Sequence, residues 1–142
     1  MSSDSTTDHL AIQQLLTRYC YAVDDRDWKH FRELFTADAK LDYSAFGGPA
    51  GNVEEIAMFL ENIVSGLGSS QHTISTTLVE LEGSRATTRT AGQVMLVNVE
   101  GNGETRVSFI GLWYHDVMVK TPGGWRIAER AQKYGWVHNM QG

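Results

Sequence analysis

A chain of 142 residues with 42% hydrophobic side chains fits one domain with a core of its own and leaves no room for a second. Twelve Lys and Arg against 17 Asp and Glu give a net charge of −5, which excludes the basic platform that nucleic acid requires. The single Cys20 excludes an internal disulfide and a cysteine-built zinc cluster and points to a reducing, cytoplasmic compartment, while no apolar run reaches the ~20 residues of a membrane span.

Residues 1–7 are small and polar and read as a disordered lead-in. Asp8 is placed to cap a helix reaching about Val23. Ile12, Leu15, Leu16, Tyr19, Cys20 and Val23 recur there at three- and four-residue steps, the spacing of one buried stripe. The run Asp24-Asp25-Arg26-Asp27 interrupts the pattern, because short carboxylates compete for nearby backbone amides. A shorter helix follows, with Trp28, Phe31, Leu34 and Phe35 on one side and Lys29, His30, Arg32 and Glu33 toward water.

Residues 39–46 change to period two, Leu41 and Tyr43 alternating with Lys40, Asp42 and Ser44, which predicts a strand. Phe46-Gly47-Gly48-Pro49-Ala50-Gly51 reads as a loop. Asn52 and Glu55 have the spacing of a capping box and open a third helix. Its predicted buried side is Ile56, Phe59, Leu60, Ile63 and Leu67, and it ends near Gly66 and Gly68.

From Ser70 onward the chain reads as strands over 71–81, 85–98, 104–119 and 125–133, rich in Thr, Val, Ile and aromatics. Glu82-Gly83-Ser84, Asn102-Gly103 and Pro122-Gly123-Gly124 are the intervening hairpin turns, and the last three strands predict an antiparallel meander. Helices in front and an antiparallel sheet behind make an α+β domain, and a long sheet that curls over helices leaves a concave, partly apolar interior. Strand 105–119 is apolar on both sides, with Val107, Phe109, Trp113, Val117 and Val119 on one and Ile110, Leu112, Tyr114 and Met118 on the other. Both faces are then covered, one by helices and the other by a second subunit, so a homodimer or higher homo-oligomer is expected.

The five histidines differ in quality. His9, His30 and His138 read as solvent-facing, and His115 and Asp116 point to opposite faces of one strand. No metal-ligand spacing, no nucleophile elbow and no glycine-rich phosphate cradle is present, so neither a metal nor another cofactor is expected. His72 opens a strand with Ile74 and Leu78 on its side by alternation. An imidazole on such a face is more often structural than catalytic, Asp24 alone reads as the residue ending the first helix, and Tyr19 and Tyr43 read as core aromatics.

Arg18-Tyr-Cys-Tyr-Ala-Val-Asp-Asp-Arg-Asp-Trp28, Leu34-Phe35-Thr-Ala-Asp-Ala39, Gln71-His72, Gly124-Trp125-Arg126-Ile127 and Arg130 together resemble the SnoaL-like family. That family is a branch of the nuclear transport factor 2-like, cone-shaped α+β fold, and the likeness spans about Leu10 to Arg130. It implies one such domain over residues 8–142, with a cone-shaped curved antiparallel sheet on three N-terminal helices. An Asp ending the first helix and a His opening the strand after the third helix form the catalytic pair of scytalone dehydratase, bile-acid 7α-dehydratase and lindane dehydrochlorinase. The matching residues here are Asp24 and His72, 48 positions apart. The resemblance further implies hydrogen-bond donors at Tyr43 and Tyr19 and a cavity residue at Tyr114; Trp113, Met95 and Phe59 are also expected against the substrate.

This implies a cofactor-independent lyase, dehydratase-like, taking a proton α to a carbonyl in a small hydrophobic polyketide- or steroid-like molecule. An isomerase or cyclase using the same base, and a non-catalytic ligand-binding dimeric module, are the alternatives. Segment 85–98 departs from the relatives: it offers neither their second histidine nor their aspartate, only Gln93, Met95 and Leu96 nearby. The proton donor to a leaving hydroxyl is therefore unassigned.

Overall fold

A computed structural model describes residues 3–141. Three helices cover one face of a six-stranded sheet whose strand order is β2-β1-β6-β5-β4-β3. The helices are α1 (Ser3–Asp24), α2 (Trp28–Glu33) and α3 (Val53–Ser65). The strands are β1 (Phe35–Asp42), β2 (Ala50–Gly51), β3 (Ser69–Glu82), β4 (Arg85–Val99), β5 (Thr105–Thr121) and β6 (Gly124–Gln141). The sheet stays open, with β2 and β3 as its edges. Among the described residues, no helix is long and apolar enough to cross a membrane.

Several local expectations are met and several move. Helix α1 begins at Ser3, so residues 3–7 are its first turns rather than a disordered lead-in; residues 1 and 2 lie outside the described residues. Asp8 is consequently no cap. Its Oδ1 accepts from the buried Trp125 Nε1–H at 2.9 Å and from Lys120 Nζ at 3.0 Å, pinning α1 to the sheet. The capping box of α3 forms as read, with Glu55 N–H donating to Asn52 Oδ1 at 2.9 Å and Asn52 N–H to Glu55 Oε1 at 3.3 Å. The buried side of α3 is rotated, however: Ile56, Ala57 and Val64 are sealed, while Ile63 is 40% exposed.

Strand β1 starts directly after α2 and ends at Asp42, four residues earlier at each end than the period-two pattern predicts. Tyr43 then opens a short 3-10 turn over Ser44–Phe46. β1 pairs parallel with β6, so the sheet is mixed. Alternating burial is the same in parallel and antiparallel pairs, so the sequence pattern is silent on direction. β6 continues to Gln141, eight residues past its expected end, by pairing with β5 as far as Arg106.

Three bulges decide which side chains face the helices. Ser75 pairs with Ala91 and Thr77 with Thr90, leaving Thr76 extra, at φ 32°. The phase of β3 reverses there: Ile74 keeps company with His72, whereas Leu78, expected beside them, is 59% exposed on the outer face. In β6, Val117 pairs with Glu129 and Met118 with Ile127, so Ala128 is extra and both Ile127 and Arg130 turn inward. Gly111 pairs with Trp136 and Leu112 with Tyr134, making Gly135 the third extra residue.

The core fills the space between α1, α2, α3 and the inner sheet face. Ile12, Leu16, Tyr19, Val23, Phe31, Tyr43, Ile56, Tyr114, Met118 and Ile127 are all fully buried there. Burying each such side chain contributes about 1.5–3 kcal/mol. The interior that was expected to be hollow is thus occupied along its middle by aromatic rings. A trough of about 910 Å³ lies on the outer sheet face, bordered by Lys40, Arg89, His115 and Glu129.

On that outer face the Trp136 ring lies flat on Gly111, whose missing side chain would sit 2.2 Å from the indole. Gly111→Ala is therefore expected to displace the indole and cost about 1–3 kcal/mol, as overpacking does. Urea denaturation and a red shift of tryptophan emission would register both effects.

Candidate active site

Asp24 is the last residue of α1, where the helix dipole presents its negative end and a carboxylate is least welcome. Three hydrogen bonds hold it there. His72 N–H donates to Asp24 Oδ2 at 2.7 Å, Ser70 Oγ–H donates to Oδ1 at 3.1 Å, and the His72 ring bonds Oδ1 through Nδ1 at 2.7 Å. The side chains of His72 and Asp24 are 8% and 15% exposed. Burial pushes the Asp24 carboxyl up, but the His72 ring, its backbone N–H and Ser70 outweigh it and hold the group below its ordinary value.

An ionised carboxylate only accepts, so Nδ1 carries the proton of this bond and Nε2 of the neutral ring presents a lone pair. Nε2 has no hydrogen-bond partner among the described residues, and it is not one of their sealed unpartnered polar atoms. A groove of about 450 Å³ runs along the α1–β3 seam beside the pair, lined by Cys20, Tyr21, Ser70 and Ile74 among others. Burial pushes the Cys20 thiol up to about 11, so it stays an unreactive thiol.

Inward from the pair lies a tyrosine cluster. The Tyr19 ring meets His72 edge-on at 6.3 Å and Tyr114 at 5.7 Å, and the Tyr19 and Tyr43 hydroxyls are hydrogen-bonded to each other. One phenol proton of that pair makes the shared bond and the other remains free to donate. The Tyr114 ring lies against Gly92, where a Cβ would stand 3.3 Å from its Cε2. Its hydroxyl is buried without a partner. Burial raises the Tyr19 phenol and drives those of Tyr43 and Tyr114 well above their ordinary value, so all three are donors at neutral pH.

Arg130 and Asp116 complete the cluster, and sequence reasoning missed both as site residues. The Arg130 guanidinium is stacked between the rings of Tyr19 and Tyr114, 4.1 and 4.0 Å from their centroids. Arg130 Nε and Nη2 donate to the two Asp116 oxygens at 2.7 and 2.9 Å, and Thr88 Oγ1 donates to Asp116 at 3.4 Å. Burial works against the Arg130 charge, but Asp116 outweighs it and keeps the guanidinium protonated. Arg130 Nη1 has no partner, so the cluster holds a buried cationic donor in reserve. A carboxylate in the otherwise apolar row Leu112, Tyr114, Met118 was the available signal for Asp116. Nothing in the alternation could place Arg130, because the Ala128 bulge turns it inward.

The remaining named residues do not join this group. Trp113 pairs with Ala91 and Lys133 and is 41% exposed, and Met95 pairs with Gln71 and Phe109. Both stand on the outer face, opposite to Tyr114 and His72, which corrects their expected place against an interior substrate. Phe59 is half-buried and packs on Gly48 beside the Tyr43 backbone. Among the described residues, no three His, Cys, Asp or Glu side chains gather as a metal ion would need.

The model of the SnoaL-like domain family matches residues 4–131 of this chain. Rv2910c of Mycobacterium tuberculosis (strain ATCC 25618 / H37Rv), an uncharacterized protein, is 35% identical over 134 residues, covering 93% of this chain and 88% of its own. A candidate scytalone dehydratase from Novosphingobium aromaticivorans superimposes with a TM-score of 0.85 at 19% identity, over 97% of this chain and 91% of that one. A hexachlorocyclohexane dehydrochlorinase, LinA type 2, does so with a TM-score of 0.81 at 17% identity, over 98% and 93% of the two chains. At such identities the structural likeness is one of fold.

The depressed Asp24 value has a consequence in acid. Its stabilisation is fully present above the unfolded carboxyl value of ~3.9 and is lost as pH falls through the lower folded one. Asp24→Asn, which cannot titrate, should lose less stability than the parent on going from pH 6 to pH 3. Urea midpoints across that range would check it, and equal slopes would count against an ionised Asp24.

Proposed function

The chain belongs to the SnoaL-like family, and on that footing we propose that it is a cofactor-independent lyase working on a small hydrophobic carbonyl compound through Asp24 and His72. The observation that carries this reading is the 2.7 Å bond from His72 Nδ1 to Asp24, which leaves Nε2 as the nitrogen that can take up a proton. Neighbours of the same fold named as a dehydratase and a dehydrochlorinase, both eliminations, support a lyase-like role.

In the proposed step Nε2 takes the proton α to the substrate carbonyl. The electron pair of that C–H bond becomes the new C=C bond, and the β C–O bond breaks. The departing oxygen leaves as water once the imidazolium returns its proton, with the Tyr114 phenol, held protonated by burial, hydrogen-bonding to that oxygen. Asp24 orients the ring and stabilises its cationic form, while the free phenol proton of the Tyr19–Tyr43 pair bonds the carbonyl oxygen as negative charge builds there. General-base catalysis of this kind contributes about 10²–10⁴-fold.

One observation favours a second reading, a ligand-binding module without turnover: Tyr19, Tyr43, Tyr114 and Arg130 are each under 2% exposed. Either function would be exercised by a homodimer joined through the outer sheet face, where Trp113, Trp136 and Leu78 are 41%, 43% and 59% exposed.

Against a panel of polyketide- and steroid-like β-hydroxy carbonyl compounds, His72→Ala should lower turnover about 10²–10⁴-fold. Asp24→Asn should follow it, and Tyr114→Phe should reduce turnover without abolishing binding. The product should be lighter by one water, an unchanged mass meaning isomerisation or cyclisation instead. Thermal stabilisation by a compound that is never converted would establish the module. Trp113→Glu should yield monomers by sedimentation, and an undisturbed dimer would move the interface elsewhere.

A further inference from the structure

The geometry points to Arg26 as the positioning residue of the Asp24–His72 pair, clamping the corner that carries the acid to the connection that carries the histidine. The inference rests on the dyad reading above. Two residues past Asp24, Arg26 closes α1 in the left-handed region, at φ 57°. Its N–H bonds Val23 O at 3.1 Å and Asp27 N–H bonds Ala22 O at 2.8 Å, the paired bonds that end a helix on a left-handed residue. Glycine adopts this conformation without strain, and arginine does not. The strain of an arginine at this corner is offset by what its side chain bonds.

That side chain reaches the far end of α3. Arg26 Nη2 donates to Val64 O at 2.8 Å, which also accepts Leu67 N–H at 3.1 Å, and to Leu67 O at 3.2 Å, placing its charge at the negative end of that helix. Leu67 lies three residues before Ser70 and five before His72, with only Gly66 and Gly68 flanking it. The same short connection is thus fastened twice to the corner ending α1: by Arg26 at its start, and by Asp24 at Ser70 and His72. Two glycines beside Leu67 leave the connection little stiffness of its own, and β4 holds only its far side, through Gly68 N–H to Val97 O at 2.9 Å and the pairing from Ser69 onward. Released from Arg26, the corner ending α1 can shift against β3, and the donors on Ser70 and His72 hold Asp24 less firmly.

The test reads the pair directly and needs no substrate. In nitrogen-15-labelled protein, exchange of the His72 ring N–H with water is measured alongside that of the Trp125 indole N–H. The latter is held by Asp8 at the opposite end of the sheet and serves as internal control. Arg26→Gly keeps the left-handed corner and removes only the clamp, Arg26→Ala removes both, and Arg26→Lys retains a cationic donor.

Exchange at His72 should accelerate about tenfold in the Gly and Ala variants, the factor of one lost charge-assisted hydrogen bond. Lys should recover part of the protection, and Trp125 should stay within about twofold. His72 exchange unchanged in Arg26→Gly, or Trp125 accelerated equally, would overturn the assignment. Turnover by a His72→Ala variant bears on the dyad reading alone, so the two failures are distinguishable.

Discussion

The negative end of α1 carries a carboxylate, and the arrangement around it is organised to make that tolerable. Asp24 adds a full charge to the partial charge of unsatisfied carbonyls, an arrangement that repels unless donors converge on it. A ring N–H, a backbone N–H and a hydroxyl converge, all from the first four residues of β3. The bond between Asp24 and His72 is therefore at once the tie between the first helix and the sheet edge and the feature that fixes which ring nitrogen faces the carboxylate. A helix ending in Gly or Asn at this point would be more comfortable and would leave His72 free to take either tautomer.

The second organising element is a buried cation. Arg130 is surrounded by Asp116, Tyr19 and Tyr114, and a guanidinium so placed is tolerated only because the carboxylate pairs with two of its nitrogens. The cluster fixes the tyrosine rings and leaves a phenol and a guanidinium N–H with nothing to bond. Buried groups of that kind are costly, and the Tyr114 hydroxyl and Arg130 Nη1 are two of the four among the described residues, the others being the Thr36 and Thr90 hydroxyls. The polar side of the interior is thus built largely from donors.

Much of this was legible in the residues. Periodicity placed all three helices and the four long strands, the Asn52–Glu55 pair marked the start of α3, and the Asp24 and His72 positions resembled a known pair before any geometry was at hand. These features are local: a helical stripe, a cap or a turn is decided by residues within a few positions of one another.

What the chain alone left open depends on counting across strands. A single extra residue at Thr76, Ala128 or Gly135 reverses the facing of everything beyond it, and no local pattern announces which residue will be extra. Leu78 was expected inward and stands outside for that reason, while Arg130, silent in the alternation, became the buried cation. The parallel pairing of β1 with β6, the outward turn of Trp113 and Met95, and the filling of the hollow by Tyr19, Tyr43 and Tyr114 likewise came from tertiary packing. Residue identities settled which elements form and which acid and base are available. Register, bulges and the competition of large side chains for one interior settled what those groups face.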